Sequence, residues 1–469
     1  MVNCLNNQFV SVFNELNTSP LPDLDQRCNF DCVMNDSHFA PHIILKRIKQ
    51  MEPHKSVGVD GIHPLVIKKC SDKFASILSK IFTISFNTSI VPDTWKLANI
   101  TSIFKKGCKL DPANYRPISL TAVPCKMMER IVRDTMLQHL MDNNLIANEQ
   151  HGFVKYKSCL TNLLETLDIL SNAMNNGHAV VLIFLDFAKA FDKVCHNSLF
   201  KKLSKYGFNG KILSWLKSFL SNRKQRVVLG QNMSGWRDVT SGIPQGSCIG
   251  PLLFVIFIND MPDVVKHILK LFADDSKLIS IIKNHNDLSS IQKDLDSLVD
   301  WSRRWNMLFN AEKCKSMIVT KWSLPGPTPA YAKFHMATQD NASHQLQETF
   351  AEKDLGINFT CNLKFDLHSQ YAAAKANRML SLLKRTFRSW TIYNFKILYS
   401  AYIRPHLEYA APVWSPYNKK DINILENVQR RATKLVPHVK NLQYGERLRL
   451  LGLTKLEDRR IKGDLIQIF

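Results

Sequence analysis

The sequence predicts an α+β fold, on three observations. Residues 179–185 read AVVLIFL, an unbroken run rich in β-branched residues, as expected of a strand buried on both faces. Residues 268–282 read ILKLFADDSKLISII, two short apolar arms about an acidic doublet, which is a β-hairpin pattern. Around them lie segments with apolar residues at helical spacing, and from about residue 370 the pattern stays helical to the end.

In chain order, residues 1–38 are polar, with Pro20 and Pro22, and read as a lead-in. Residues 39–51, FAPHIILKRIKQM, have helical spacing. KSVGVDGI at 55–62 holds two glycines and an Asp, the mark of a tight loop. Helices are predicted over 65–87 and 124–142, with an extended segment at 95–105 between them. A helix over 159–175 precedes the apolar strand, and another fills 196–220. Residues 225–239 alternate like a strand pair. Gly242–Gly250 is a Gly/Pro-punctuated loop that opens the buried stretch Pro251–Ile258. An amphipathic helix with Trp301 and Trp305 covers 287–309, and a strand covers 314–320. Residues 323–349, rich in Pro, Gly, Asn and Gln, read as a long exposed loop before a strand near 354–359. A last helix runs near 455–469.

The length, 469 residues, exceeds one small domain and suffices for two or three packed units. The 62 Lys and Arg against 40 Asp and Glu leave a net charge of +22 and a pI near 9.5. Such a field attracts polyanions over about one Debye length, ~8 Å at physiological salt. Nucleic acid is the first candidate partner and an anionic membrane surface the second. Residues 370–469 hold 19 Lys and Arg against 7 Asp and Glu, so more than half of the excess sits there. Eleven cysteines occur singly, without a C-x-x-C pair. That argues for free thiols in a reducing compartment and against a disulfide framework or a zinc knuckle. The N-terminus lacks the basic and apolar regions of a secretory signal. No apolar run approaches the ~18 residues of a membrane span. A soluble, intracellular protein is expected, its compartment open.

The chemistry centres on carboxylates. Asp186 follows the apolar strand, and Asp274 and Asp275 sit at the tip of the hairpin. If the two strands lie side by side, three carboxylates meet at one edge of a sheet. Hard cations such as Mg²⁺ take oxygen ligands and keep positions for substrate phosphates. Two of them ~3.5–4 Å apart activate an attacking hydroxyl and stabilise a leaving pyrophosphate. Each motif alone is also ordinary turn chemistry. Together, crowded like charges are costly unless a cation binds.

Five strings occur in order: KSVGVDGIHP at 55–64, NYRPISL at 114–120, LDFAKAFDKV at 185–194, SGIPQGSCIG at 241–250 followed by PLLF, and LFADDSKL at 271–278. In this order and spacing they resemble the reverse transcriptases of non-LTR (LINE-type) retrotransposons, of the jockey-like group, from about residue 39 to the end. The resemblance implies a right-hand polymerase of fingers, palm with a ferredoxin-like antiparallel sheet, and helical thumb. Residues 39–175 would form the fingers region, 176–368 the palm and 369–469 the basic thumb and C-terminal region, with the reverse transcriptase domain at about 87–360. It implies an RNA-directed DNA polymerase that adds dNTPs to a DNA primer 3′-OH on an RNA template. Two Mg²⁺ ions would serve it, with Mn²⁺ as a substitute.

By the same resemblance, Asp186 and Asp274 are metal ligands and Asp275 a supporting one. Phe191 stands where an aromatic ring excludes a 2′-hydroxyl, the group that distinguishes ribonucleotides; its alternative is a ring packed in the core. Gln245 and Gly246 match a loop against the templating base and incoming nucleotide, and alternatively form a turn opening a helix. Lys105 and Arg116 match basic positions that grip triphosphate oxygens, with Lys106 an alternative to Lys105. Lys313, or Lys315 beyond Cys314, matches a general acid for pyrophosphate. Leu355 and Gly356 match the turn that positions the primer end, and equally an ordinary hairpin turn.

One segment departs from the family pattern. Where the family has G-F-R-x-x-R-S, this chain has Val154 and Lys157 in place of the two arginines. A catalytically inactive nucleic-acid-binding relic is therefore a second expectation, and an RNA-templated RNA polymerase a third, with Phe191 as discriminator. Nothing before residue 39 is long enough for an endonuclease, so this chain alone is expected not to nick DNA.

Overall fold

In the computed structural model, which describes residues 1–14, 21–320, 333–338, 340 and 342–468, strand pairing follows the apolar pattern. The strands are β1 (Leu97–Phe104), β2 (Tyr115–Leu120), β3 (Ala179–Leu185), β4 (Arg223–Leu229), β5 (Asn232–Met233), β6 (Arg237–Val239) and β7 (Ile268–Phe272). They continue with β8 (Asp275–Ile282), β9 (Lys315–Val319), β10 (His335–Ala337), β11 (Ser343–Gln345), β12 (Gln347–Glu348), β13 (Ala351–Asp354) and β14 (Ile357–Thr360).

The central sheet has the order β12-β9-β3-β8-β7. Its pairings are antiparallel except for the edge strand β12, which runs parallel to β9. β3 is the middle strand and is covered on both sides, as its AVVLIFL sequence requires. Val181, Ile183 and Leu185 face a core shared with the N-terminal helices, Gly250–Ile258 and His285–Arg304. Val180 and Leu182 face a second core, built with Cys159–Asn175 and the C-terminal helices. A second sheet joins β2, β1, β4 and β5, with β6 on β4; β1 and β4 run parallel. The molecule is thus a mixed α/β structure whose basic last hundred residues are helical.

Several expectations change. The lead-in contains a helix, Val2–Val10, whose Leu5 and Phe9 pack against Ala98, Ile100 and Val227. The segment 196–220 is two helices, His196–Lys205 and Gly210–Leu220. They break at Gly207 (φ +85°), where a Cβ would stand 2.3 Å from the carbonyl oxygen of Phe30. The expected loop 323–349 carries the β10–β11 ribbon and β12, while its residues 323–332 lie outside the described residues. The expected strand 354–359 is a hairpin, β13–β14, turning at Leu355–Gly356. All eleven cysteines are free thiols. Among the described residues no helix is long and apolar enough to cross a membrane.

Candidate active site

β3 ends at Leu185, which pairs with Ser276 of β8. One further step of that register sets Asp186 opposite Asp275. Side chains alternate along a strand, so both carboxylates lie on the face that carries Phe184 and Lys277, the preceding cross-strand pair. Asp274 sits in the two-residue turn between Phe272 and Asp275, which pair with each other. The sheet therefore brings the three predicted carboxylates to one edge.

The turn is held from outside. Ala273 has φ +53°, a left-handed backbone that a Cβ disfavours. Its N–H donates to Gln150 Oε1 at 3.0 Å, and the N–H of Gly152 donates to the same oxygen at 2.7 Å. His151 N donates to Leu271 O at 2.9 Å, and Leu271 N to Glu149 O at 3.0 Å. Gly152 admits this approach because a Cβ there would stand 2.4 Å from Ala273 N. The Asp186 backbone is pinned as firmly, its carbonyl accepting from Asn310 N at 2.7 Å and its N–H donating to Cys314 Sγ at 3.4 Å. Burial pushes the Cys314 thiol up to about 12, so it is an inert packing group.

Electrostatics tie the carboxylates together. Asp275 opens onto the cleft, yet the cleft walls crowd out enough water that partial desolvation, then Asp274, Asp354 and Asp186, raise its carboxyl to about 6. Asp274 is raised mainly by burial; Asp186 adds to the rise, while Arg116 and Lys105 oppose it. Lys105, lowered by burial and then by Arg116 and Lys313, feels Asp186 as its counter-charge. Lys105, Arg116 and Lys313 thus form a positive wall facing the acidic edge. Lys313 Nζ lies 3.2 Å from Asp186 Oδ2. Lys315 instead pairs with Glu352 at 2.8 Å. Lys106 lines the same cleft, of about 340 Å³, with Asp186, Asp275 and Lys313.

Of the remaining predicted residues, Leu355 lines the cleft of Asp186 and Asp275, whereas Gln245 lines a separate cavity with Asp192. Phe191 is half-buried and stacks on Phe254, ring centroids 4.5 Å apart. The loop carrying Gln245 docks beside it, Ile243 N donating to Phe191 O at 2.8 Å. Gln245 O accepts from Ser119 N at 2.7 Å, which joins the loop to β2 and hence to the strand of Arg116. Gly246 has φ +116°, and a Cβ there would stand 2.6 Å from Ser119 O, so only glycine fits without strain. Leu355 (φ +43°) and Gly356 (φ +94°) form the β13–β14 turn. A two-residue hairpin turn with both central φ positive matches the strand twist, and Tyr409 Oη holds it by donating to Leu355 O at 2.9 Å.

The donor set bears on a cation. The acidic edge offers only carboxylate oxygens, the ligands of a hard divalent ion. Asp186 raises both Asp274 and Asp275, and Asp274 raises Asp275, which is the crowding that such an ion relieves. Among the described residues no three acidic, His or Cys side chains are assembled as a ready cage. A hard divalent ion fits such an edge, since one of that kind can be held by one or two carboxylates plus substrate phosphates rather than by an all-protein cage.

Sequence reasoning missed four supports. Gln150 holds the turn. Asp192 accepts from Gln245 Nε2 at 2.9 Å. Glu129, fully buried, caps the start of Gly250–Ile258 by accepting from Cys248 N at 2.6 Å and Ile249 N at 3.3 Å. Lys277 pairs with Asp354 and so anchors the β13–β14 hairpin to the sheet. The only advance signals were polar residues inside otherwise apolar or loop-forming strings, and these do not name a partner.

Residues 103–353 match the model of the family described as reverse transcriptase (RNA-dependent DNA polymerase). The chain is 28% identical over 404 residues to the RNA-directed DNA polymerase from mobile element jockey of Drosophila melanogaster, covering 83% of this chain and 43% of that protein. It is 26% identical over 406 residues to the probable RNA-directed DNA polymerase from transposon BS of the same organism, covering 84% and 44%. It is 25% identical over 382 residues to the Pol polyprotein from type-1 retrotransposable element R1 of Bradysia coprophila, covering 78% and 36%. The chain spans less than half the length of these relatives.

Proposed function

Because the chain belongs to the reverse transcriptase (RNA-dependent DNA polymerase) family, we propose that it is an RNA-directed DNA polymerase of a non-LTR retrotransposon, extending a DNA primer on an RNA template. The observation that carries this reading is the β3–β8 register, which sets Asp186 opposite Asp275 at the tip that also bears Asp274. In this reading residues 39–175 act as fingers, 176–368 as palm and 369–469 as a basic thumb that tracks the duplex backbone, and the protein works inside the cell.

The reaction joins a primer 3′-oxygen to the α-phosphorus of a dNTP and releases pyrophosphate. Asp186, Asp274 and Asp275 would hold two Mg²⁺ ions, or Mn²⁺ in their place. When bound, the ions would promote ionisation of the hydroxyl and neutralise the phosphates. The chain's own residues supply position and charge, the main currency of phosphoryl transfer. Lys105 and Arg116 grip the triphosphate. Gln245 and Gly246 bound the nascent pair from one side. Phe191, backed by Phe254, leaves no room for a 2′-hydroxyl. Lys313, paired with Asp186 in this structure, would supply the proton to the departing pyrophosphate. The Leu355–Gly356 turn presents the primer end.

The test is primer extension on an RNA template with dNTPs, with Asp274→Ala beside wild type. Extension by wild type, lost at least ~10³-fold in the variant, is expected for a residue essential to positioning the reacting charge. Binding of primer–template without incorporation under Mg²⁺ or Mn²⁺ selects the inactive relic, which the Val154 and Lys157 substitutions motivate. A wild-type preference for rNTPs selects an RNA polymerase.

A further inference from the structure

Resting on that reading, we propose that Asp192 is a positioning residue that selects which end of the Gln245 amide meets the incoming nucleotide. A glutamine amide has two ends of nearly equal shape and opposite hydrogen-bonding sense. Unheld, it presents either. An ionised carboxylate only accepts, so the 2.9 Å contact between Asp192 Oδ1 and Gln245 commits the nitrogen, Nε2, to Asp192. The carbonyl oxygen Oε1 then has no hydrogen-bond partner among the described residues and is the end left for a donor on the nucleotide.

The carboxylate is not needed to seat the loop. Backbone contacts already do so: Gly242 N donates to Val194 O at 2.9 Å, Ile243 N to Phe191 O at 2.8 Å, and Ser119 N to Gln245 O at 2.7 Å. Ser241 Oγ donates to the main-chain oxygen of Asp192 at 2.9 Å, and His196 Nε2 lies 2.7 Å from Gly242 O. Gly242 itself packs so closely on the Asp192 backbone that a Cβ would stand 2.6 Å from its oxygen. With the loop held by these bonds, what remains for the Asp192 side chain is the orientation of one amide. Burial raises the Asp192 carboxyl above the usual carboxylate range; the bond from Gln245, then Lys189 and Arg116, oppose that rise.

The experiment is a four-protein cycle of wild type, Asp192→Asn, Gln245→Ala and the double variant. Steady-state dNTP incorporation and melting temperature are measured for each. Asn is isosteric but donates as well as accepts, so it no longer selects the amide orientation. Asp192→Asn is expected to raise the dNTP KM about tenfold with kcat within about threefold, the split expected when binding rather than chemistry is lost. On the Gln245→Ala background the same change is expected to shift KM by less than about twofold, because its route of action is gone. Equal effects in both backgrounds, an unchanged KM in Asp192→Asn, or failure of Asp192→Asn to fold would each overturn the proposal. An active wild type in those cases leaves the polymerase reading intact, whereas a wild type that extends no primer overturns that reading and this inference together.

Discussion

Lys277 and Asp354 form an ion pair buried at both ends, the side chains only 4% and 10% exposed. Lys277 belongs to the strand that begins at Asp275, and Asp354 directly precedes the Leu355–Gly356 turn. This pair, with Lys315–Glu352, ties the turn's hairpin to the sheet that carries the acidic edge. Breaking it leaves a charge without a partner in a poorly solvated place. Lys277→Met or Asp354→Leu alone is expected to cost ~3–5 kcal/mol, whereas the two together are expected to be near neutral. Urea unfolding of the three variants checks this; additive losses in the double variant would refute a coupled pair.

The raised carboxyl of Asp275 has a pH signature. Its ordinary value lies near 4 and its folded value at about 6. Between these the folded chain keeps a proton that the unfolded chain has released, so this group's contribution to stability falls as pH rises through that window. Without divalent cations, melting temperatures from pH 4 to 6 are expected to decline less, or rise more, in Asp275→Asn than in wild type. Parallel profiles for the two proteins would remove the coupling. Millimolar Mg²⁺ is expected to narrow the difference.

On the proposed reading, the Phe191 ring would exclude the 2′-hydroxyl. Phe191→Val opens room beside Phe254 and is expected to raise kcat/KM for rNTPs relative to dNTPs on the order of 10–100-fold, the usual worth of one steric contact in a pocket. Competitive incorporation of the two nucleotide types measures it. An unchanged ratio would assign Phe191 to the core alone.

Two glycines give opposite outcomes. Gly152→Ala would push a methyl into the backbone of the acidic turn, while a Cβ at Gly235 would meet no atom within 4 Å. Gly152→Ala is expected to destabilise by ~1–3 kcal/mol through overpacking and to depress primer extension at least tenfold. Gly235→Ala is expected to match wild type in both. Thermal melting and extension assays decide it, and an active, stable Gly152→Ala protein would show that the tip tolerates displacement.

Much of the central architecture was legible because local pattern and global burial agree there. AVVLIFL reads as a doubly covered strand and is one. FADDS reads as a hairpin tip and is one. The misreadings share a cause in contacts made by residues remote in sequence. The break at Gly207 answers to Phe30, more than 170 positions earlier. The strand expected near 354–359 proved half of a hairpin because Leu355 accepts a left-handed conformation that its side chain does not advertise. Asp186, Asp274 and Asp275 were readable as candidate ligands from type and spacing, but Gln150, Asp192 and the Lys277–Asp354 pair were not. Their meaning lies in which atom they face, and periodicity carries no information about that.

The acidic tip is shaped by a neighbour that precedes it by more than a hundred residues, through one glutamine oxygen shared by two backbone N–H groups. The doublet is therefore not a portable cassette. A hairpin with the same residues, grafted onto another scaffold without that strap, would be free to relax out of its left-handed bend and aim its acids elsewhere. Any attempt to transplant this centre has to carry the Glu149–Gly152 strip along with the loop itself.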